Sequence, residues 1–160
     1  MKSSGILKQI LLVFAAALVL YAASYSWIEH RRLRKGPWEI TFVQSEAGHA
    51  RIAVNQPALG ITNVQIDLVG AEVAGLTTNL TLRFADARPV PFAVPLGECV
   101  FQDTTFLPGT VVLHLFGREI QLLPRVLTID GTEHPWNSGT LISLSVSNPP
   151  PSSPAAPAAP

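Results

Sequence analysis

Cysteine is almost absent: Cys99 is the only one in 160 residues. That excludes an intrachain disulfide and any multi-cysteine zinc site, and no disulfide-linked partner is expected. Cys99 lies in the apolar stretch Glu98-Cys99-Val100-Phe101 with no basic neighbour to lower its pKa, which is the setting of a buried, inert thiol. The four histidines, His30, His49, His114 and His134, stand at no metal-ligand spacing with one another or with Cys99. No Gly-x-Ser-x-Gly, phosphate-binding glycine loop or dinucleotide fingerprint occurs. The expectation is therefore no catalytic residue, no metal and no cofactor. No nucleophile, base and orienting group can be assembled, so the chain reads as something other than an enzyme.

Charge is scarce as well, at 14% of residues against 48% hydrophobic, a balance that removes the bulk of the chain from the disordered class. Basic residues are missing from most of it. Lys2, Lys8, Arg31, Arg32, Arg34 and Lys35 are six of the eleven, leaving five basic and ten acidic residues from Gly36 onward, a net charge of −5. A domain of that sign repels phosphate backbones, so no nucleic-acid partner is expected. The cluster Arg31, Arg32, Arg34 and Lys35 instead suits anionic headgroups at a membrane interface.

What is present is a long uncharged run, Gln9 to Ile28, apolar throughout from Ile10 to Leu20. As a helix it spans about 30 Å, the hydrocarbon thickness of a bilayer. Tyr21, Tyr25 and Trp27 near its end resemble an interfacial aromatic belt. The chain is thus expected to be a single-pass membrane protein with the lipid bilayer as one partner. The competing reading is a cleaved signal peptide, with Lys2 and Lys8 as its basic region and Ala22 and Ser24 at the cleavage site, releasing a soluble exported β-domain. The length of the run and the bulky Tyr25 and Trp27 that follow favour the uncleaved anchor. Lys and Arg number two before the run and four after it, a slight lean toward a cytoplasmic C-terminal domain; a domain longer than about 60 residues crosses largely regardless of its charge, so both orientations stay open.

Beyond Pro37 the hydrophobic period becomes two, the mark of half-buried strands. Trp38, Ile40 and Phe42 share one face, and Asn63 to Leu68 and Asn79 to Phe84 repeat the alternation. Gly70 and Gly75 are expected to bracket a loop. Pro89, Pro91 and Pro95 confine Val90 to Val94 to an edge strand or polyproline segment. Glu98 to Phe106 reads as a strand ending at a Leu107-Pro108-Gly109 turn. Gly117-Arg118 is expected to form a type II′ turn between Thr110–Phe116 and Glu119–Leu123. The last strand is Thr140 to Ser147, with Ile142, Leu144 and Val146 inward. The fold class expected is all-β, an antiparallel β-sandwich of about eight or nine short strands. One transmembrane helix precedes it and a disordered Pro/Ala-rich tail follows. The divisions are a short N-terminal tail 1–8, the membrane helix 9–28, a basic segment 29–36, the β-domain 37–147 and the tail 148–160, which holds six of the fourteen prolines.

The densest group of functional side chains is the polar loop 130–139, where Glu133, His134 and Trp136 are candidate contacts for a ligand or partner. The whole reads as a non-catalytic accessory, scaffold or interaction subunit at a membrane surface, with a protein partner of unknown identity. A ligand-binding module built on loop 130–139 is the alternative.

Overall fold

A computed structural model of the chain describes residues 3–33, 35–72 and 79–146, so Arg34, Gly75 and the tail 148–160 lie outside the described residues. Helix α1, Ser3–Leu33, runs past both ends of the uncharged stretch. Its apolar side chains face outward: Leu12 is 70% exposed and Phe14 62%. The last turn carries His30 and the cations Arg31 and Arg32, whose charge suits the negative end of the helix dipole. Gly36 in the left-handed region, at φ 73°, and Pro37 after it end the helical path.

Eleven strands follow among the described residues. β1 is Glu39–Gln44, β2 His49–Gln56, β3 Ile61–Glu72, β4 Leu80–Arg83, β5 Phe92–Val94 and β6 Gly97–Gln102. The others are β7 Val111–Leu115, β8 Arg118–Leu122, β9 Leu127–Ile129, β10 Thr132–His134 and β11 Leu141–Ser145. They form a five-stranded sheet in the order β11-β3-β2-β1-β4 and a six-stranded sheet in the order β10-β9-β8-β7-β6-β5. The chain is thus mostly strand in two sheets, with one long apolar helix ahead of them, as the change of hydrophobic period indicates.

The alternation in β1 and β2 places Ile40, Phe42, Ile52 and Val54 wholly out of solvent, and β7 and β8 do the same with Leu113, Leu115, Ile120 and Leu122. Both sheets contribute to one hydrophobic cluster. Each such side chain contributes about 1.5–3 kcal/mol on burial. Trp38 closes one end of this cluster. Its indole Nε1 donates to the Gly109 carbonyl at 2.7 Å, and its ring lies 5.3 Å from that of Trp136. One side chain thereby ties the start of the first sheet to two loops of the second.

Several local expectations are revised. The β7–β8 register pairs Leu115 with Arg118, so the turn residues are Phe116 and Gly117, at φ 49° and 74°, and not Gly117-Arg118. Positive φ at both positions makes this a type I′ turn, which matches strand twist; Phe116 packs its ring against the core there. Gly70 sits inside β3, where the register with β2 shifts and φ reaches 94°, so it makes a bulge instead of opening a loop. β6 stops at Gln102, four residues before Phe106. There Asp103 folds back, its Oδ1 accepting the Thr105 N–H at 2.8 Å. Residues 132–134 of the expected loop form β10 by pairing with β9. β11 pairs with β3 in parallel, the one departure from antiparallel pairing among the described strands. It enters the first sheet after the whole second sheet, so no hairpin fixes its direction. The Pro-flanked β5 lies at a sheet edge, as its prolines require.

Gly97 lies where β6 runs close against the backbone of β7. A Cβ there would stand 2.0 Å from the His114 carbonyl oxygen, a backbone atom that cannot swing away. Gly97→Ala is expected to cost about 3 kcal/mol, the upper end for overpacking, read as a lowered denaturant midpoint of the full-length chain in micelles. An unchanged midpoint would contradict this close approach.

Candidate functional site

Functional side chains gather at two of the clefts among the described residues. The first is the junction of α1 with the β-domain. Gln56, at the end of β2, is buried at 1% exposure, and its Nε2 lies 2.9, 2.9 and 3.0 Å from the carbonyls of Lys35, Gly36 and Pro37. Its Oε1 accepts the Ala58 N–H at 3.0 Å, capping the short 3₁₀ turn Pro57–Leu59. From the second sheet, the Leu107 N–H donates to the Arg32 carbonyl at 3.1 Å. A cleft of about 450 Å³ opens beside this contact, lined by Arg31, Lys35, Phe106, Leu107, Pro108 and Pro124. Arg31 holds its guanidinium 4.5 Å from the Trp27 ring centre, and Arg32 pairs with Glu29 at 3.3 Å. Of the expected basic cluster, Arg31 and Lys35 therefore share one cleft, and Arg34 lies outside the described residues.

The second is an open groove of about 700 Å³ on the outer face of the six-stranded sheet. Strand register builds it: Glu98 faces His114 across β6 and β7, and His114 faces Glu119 across β7 and β8. His114 Nδ1 is 4.0 Å from Glu98 and Nε2 is 3.3 Å from Glu119. Beside them Asp130 Oδ1 accepts the Glu119 N–H at 2.9 Å and Oδ2 meets Arg118 at 2.7 Å. Arg118 also donates to the Ser145 carbonyl, which links the groove to β11 of the other sheet. The row is 42–52% exposed, so water screens it, and no hydroxyl, thiol or amine side chain lines the groove. Its three carboxylates can hold a cationic group. Among the described residues no cluster of His, Cys, Asp and Glu could hold a metal ion.

The three loop candidates are not drawn into one site. Glu133 and His134 are consecutive on β10 and so point to opposite faces, Glu133 exposed and His134 half-buried. Trp136 is half-buried, packed against the core, with its Nε1 donating to the Leu123 carbonyl at 2.9 Å. Only Asp130, at the start of that loop, lines the groove. Cys99 is fully buried, and burial pushes its thiol up to about 11 despite a hydrogen bond to the Phe101 carbonyl.

Sequence reading missed Gln56, Phe106, Glu98 and Glu119. The last two have a signal in hindsight, since each stands at an outward position of an alternating strand; Gln56 and Phe106 have none. No family model, curated protein or solved structure matches this chain.

Glu119 is held below the ordinary 4.5, first by the hydrogen bond from Gln121 Nε2 at 2.6 Å and then by His114. Because its folded value is lowered, the stability it adds is fully present above 4.5 and is lost as pH falls through the lower folded value. A carbon-detected NMR titration is expected to place the Glu119 carboxyl lowest in the parent. Gln121→Ala should raise it more than His114→Ala, and no change in either variant would contradict the assigned causes.

Proposed function

We propose that the chain is a single-pass membrane protein whose two sheets form a β-sandwich and which acts by contact, as a non-catalytic accessory or scaffold subunit at a membrane surface. The observation that carries this reading is the span Gly5–Arg32, long and apolar enough to cross a bilayer and with none of it buried against the protein. An apolar helix left bare of its own domain needs another apolar environment. The short, hydrogen-bonded connection to β1 supports a domain held close to that membrane. An anchored domain meets its partners at raised effective concentration.

Contact as the mode of action is supported by the groove, which offers Glu98, Glu119 and Asp130 beside His114 on an open sheet face, with Asp130 also paired to Arg118. A protein partner carrying basic groups fits that charge. The ligand-binding alternative on loop 130–139 asks Trp136 to leave its contacts with Trp38 and Leu123, so the groove is the better surface. The charge count favours the cytoplasmic side for the domain.

Protease protection on sealed cells and inverted vesicles, with epitopes at both termini, tests anchoring and orientation together. The full-length chain is expected in the carbonate-resistant membrane fraction, its C-terminal epitope digested only in inverted vesicles. A shortened, soluble chain would sink the anchored reading in favour of signal-peptide cleavage. Digestion from outside would reverse the orientation.

A further inference from the structure

The cleft at the junction differs from the groove in charge and in place. Its six lining residues include two cations, Arg31 and Lys35, four apolar side chains and no carboxylate. Phe106 stands 58% exposed on its rim, while its neighbour Leu107 is buried at 4%. An exposed phenylalanine beside two cations is the composition that meets the boundary between acyl chains and headgroups.

Depth along the helix selects the occupant. Arg31 follows Ile28 by three residues, about 4.5 Å of rise. The headgroup layer on each side of the hydrocarbon core is roughly 5–8 Å thick. With Ile28 at the hydrocarbon boundary, the Arg31 side of the cleft falls at the level of lipid phosphates. The loop that carries Phe106 is tied to that level, because the Leu107 N–H donates to the Arg32 carbonyl at 3.1 Å. Arg31 already rests on Trp27, which orients its guanidinium along the helix surface.

We infer that this cleft binds the headgroup of an anionic phospholipid of the surrounding bilayer, its phosphate met by Arg31 and Lys35 and its upper acyl chain by Phe106. The inference rests on the anchored reading and adds a lipid class and a second membrane contact, made by the β-domain itself. A guanidinium takes phosphate oxygens in a fork, and the ammonium adds a point charge. Pro108 and Pro124 supply an apolar wall with no N–H that would need an acceptor.

The test is native mass spectrometry of the full-length chain extracted from bilayers of equal phosphatidylcholine and phosphatidylglycerol. Phosphatidylglycerol adducts are expected to exceed phosphatidylcholine adducts on the order of tenfold, as two cations near a headgroup warrant. The double variant Arg31→Gln, Lys35→Gln should abolish the preference. Phe106→Ser should lower the total of retained lipid severalfold, and Lys2→Gln with Lys8→Gln should change neither. Equal adducts in the parent, or a preference that survives the double variant, would overturn the site. So would displacement of the lipid by millimolar inorganic phosphate, which would make it a site for a free anion. A chain that leaves the membrane on carbonate treatment would instead overturn the anchoring on which the site depends, a separate readout in the same preparation.

Discussion

The hydrogen bonds of one buried amide determine how this domain stands on its helix. Where α1 ends, the carbonyls of Lys35, Gly36 and Pro37 have no helical donor ahead of them, because Gly36 turns the backbone and Pro37 has no N–H. Gln56 meets all three from inside the protein. Its NH₂ carries only two hydrogens, so one of them is shared. Gln56 itself is buried at 1% exposure, and leaving its amide without acceptors costs about 1–3 kcal/mol. Any swing of the domain about residues 35–37 would incur that cost, and the Leu107 contact to Arg32 opposes the same motion from the second sheet.

A fixed joint changes what the sheets can do. On the proposed anchoring, a domain on a long linker would sample every orientation above the bilayer, whereas one clamped within a few residues of the helix would present one side to the lipid. The two candidate surfaces divide accordingly. The junction cleft is cationic and apolar, suited to the bilayer, whereas the sheet groove sets three carboxylates beside one histidine and is water-screened, suited to a soluble basic surface. The core gives this arrangement its stiffness, with Trp38, just ahead of β1, bridging to Gly109 and Trp136 in two loops of the second sheet.

Much of this was legible in the residues, and the exceptions have physical causes. The uncharged run, the inward faces of Trp38, Ile40 and Phe42 and the Pro-flanked edge follow from local periodicity and proline chemistry, which act over a few residues. The phase of the Phe116-Gly117 turn depended on the ladder, where pairing Leu115 with Arg118 outweighed the preference for glycine at the first turn position. The parallel entry of β11 and the bulge at Gly70 are decided by partners distant in sequence. The groove escaped notice for the same reason: Glu98, His114 and Glu119 come together only through register. Gln56 reads as an ordinary strand-end residue until the carbonyls it serves are seen. The loop 130–139 attracted attention by composition alone, and its tryptophan turned out to be turned inward.

The most direct measurement of the clamped joint is a spin-label distance between Leu20→Cys in the helix and Glu133→Cys on β10, taken on the full-length chain in nanodiscs. Cys99, buried and with its thiol pushed up to about 11, should stay unlabelled. A single narrow distance distribution that broadens on Gln56→Ala is the predicted result. A broad distribution in the parent, or a narrow one that Gln56→Ala leaves untouched, would contradict a domain fixed to its long apolar helix by that side chain.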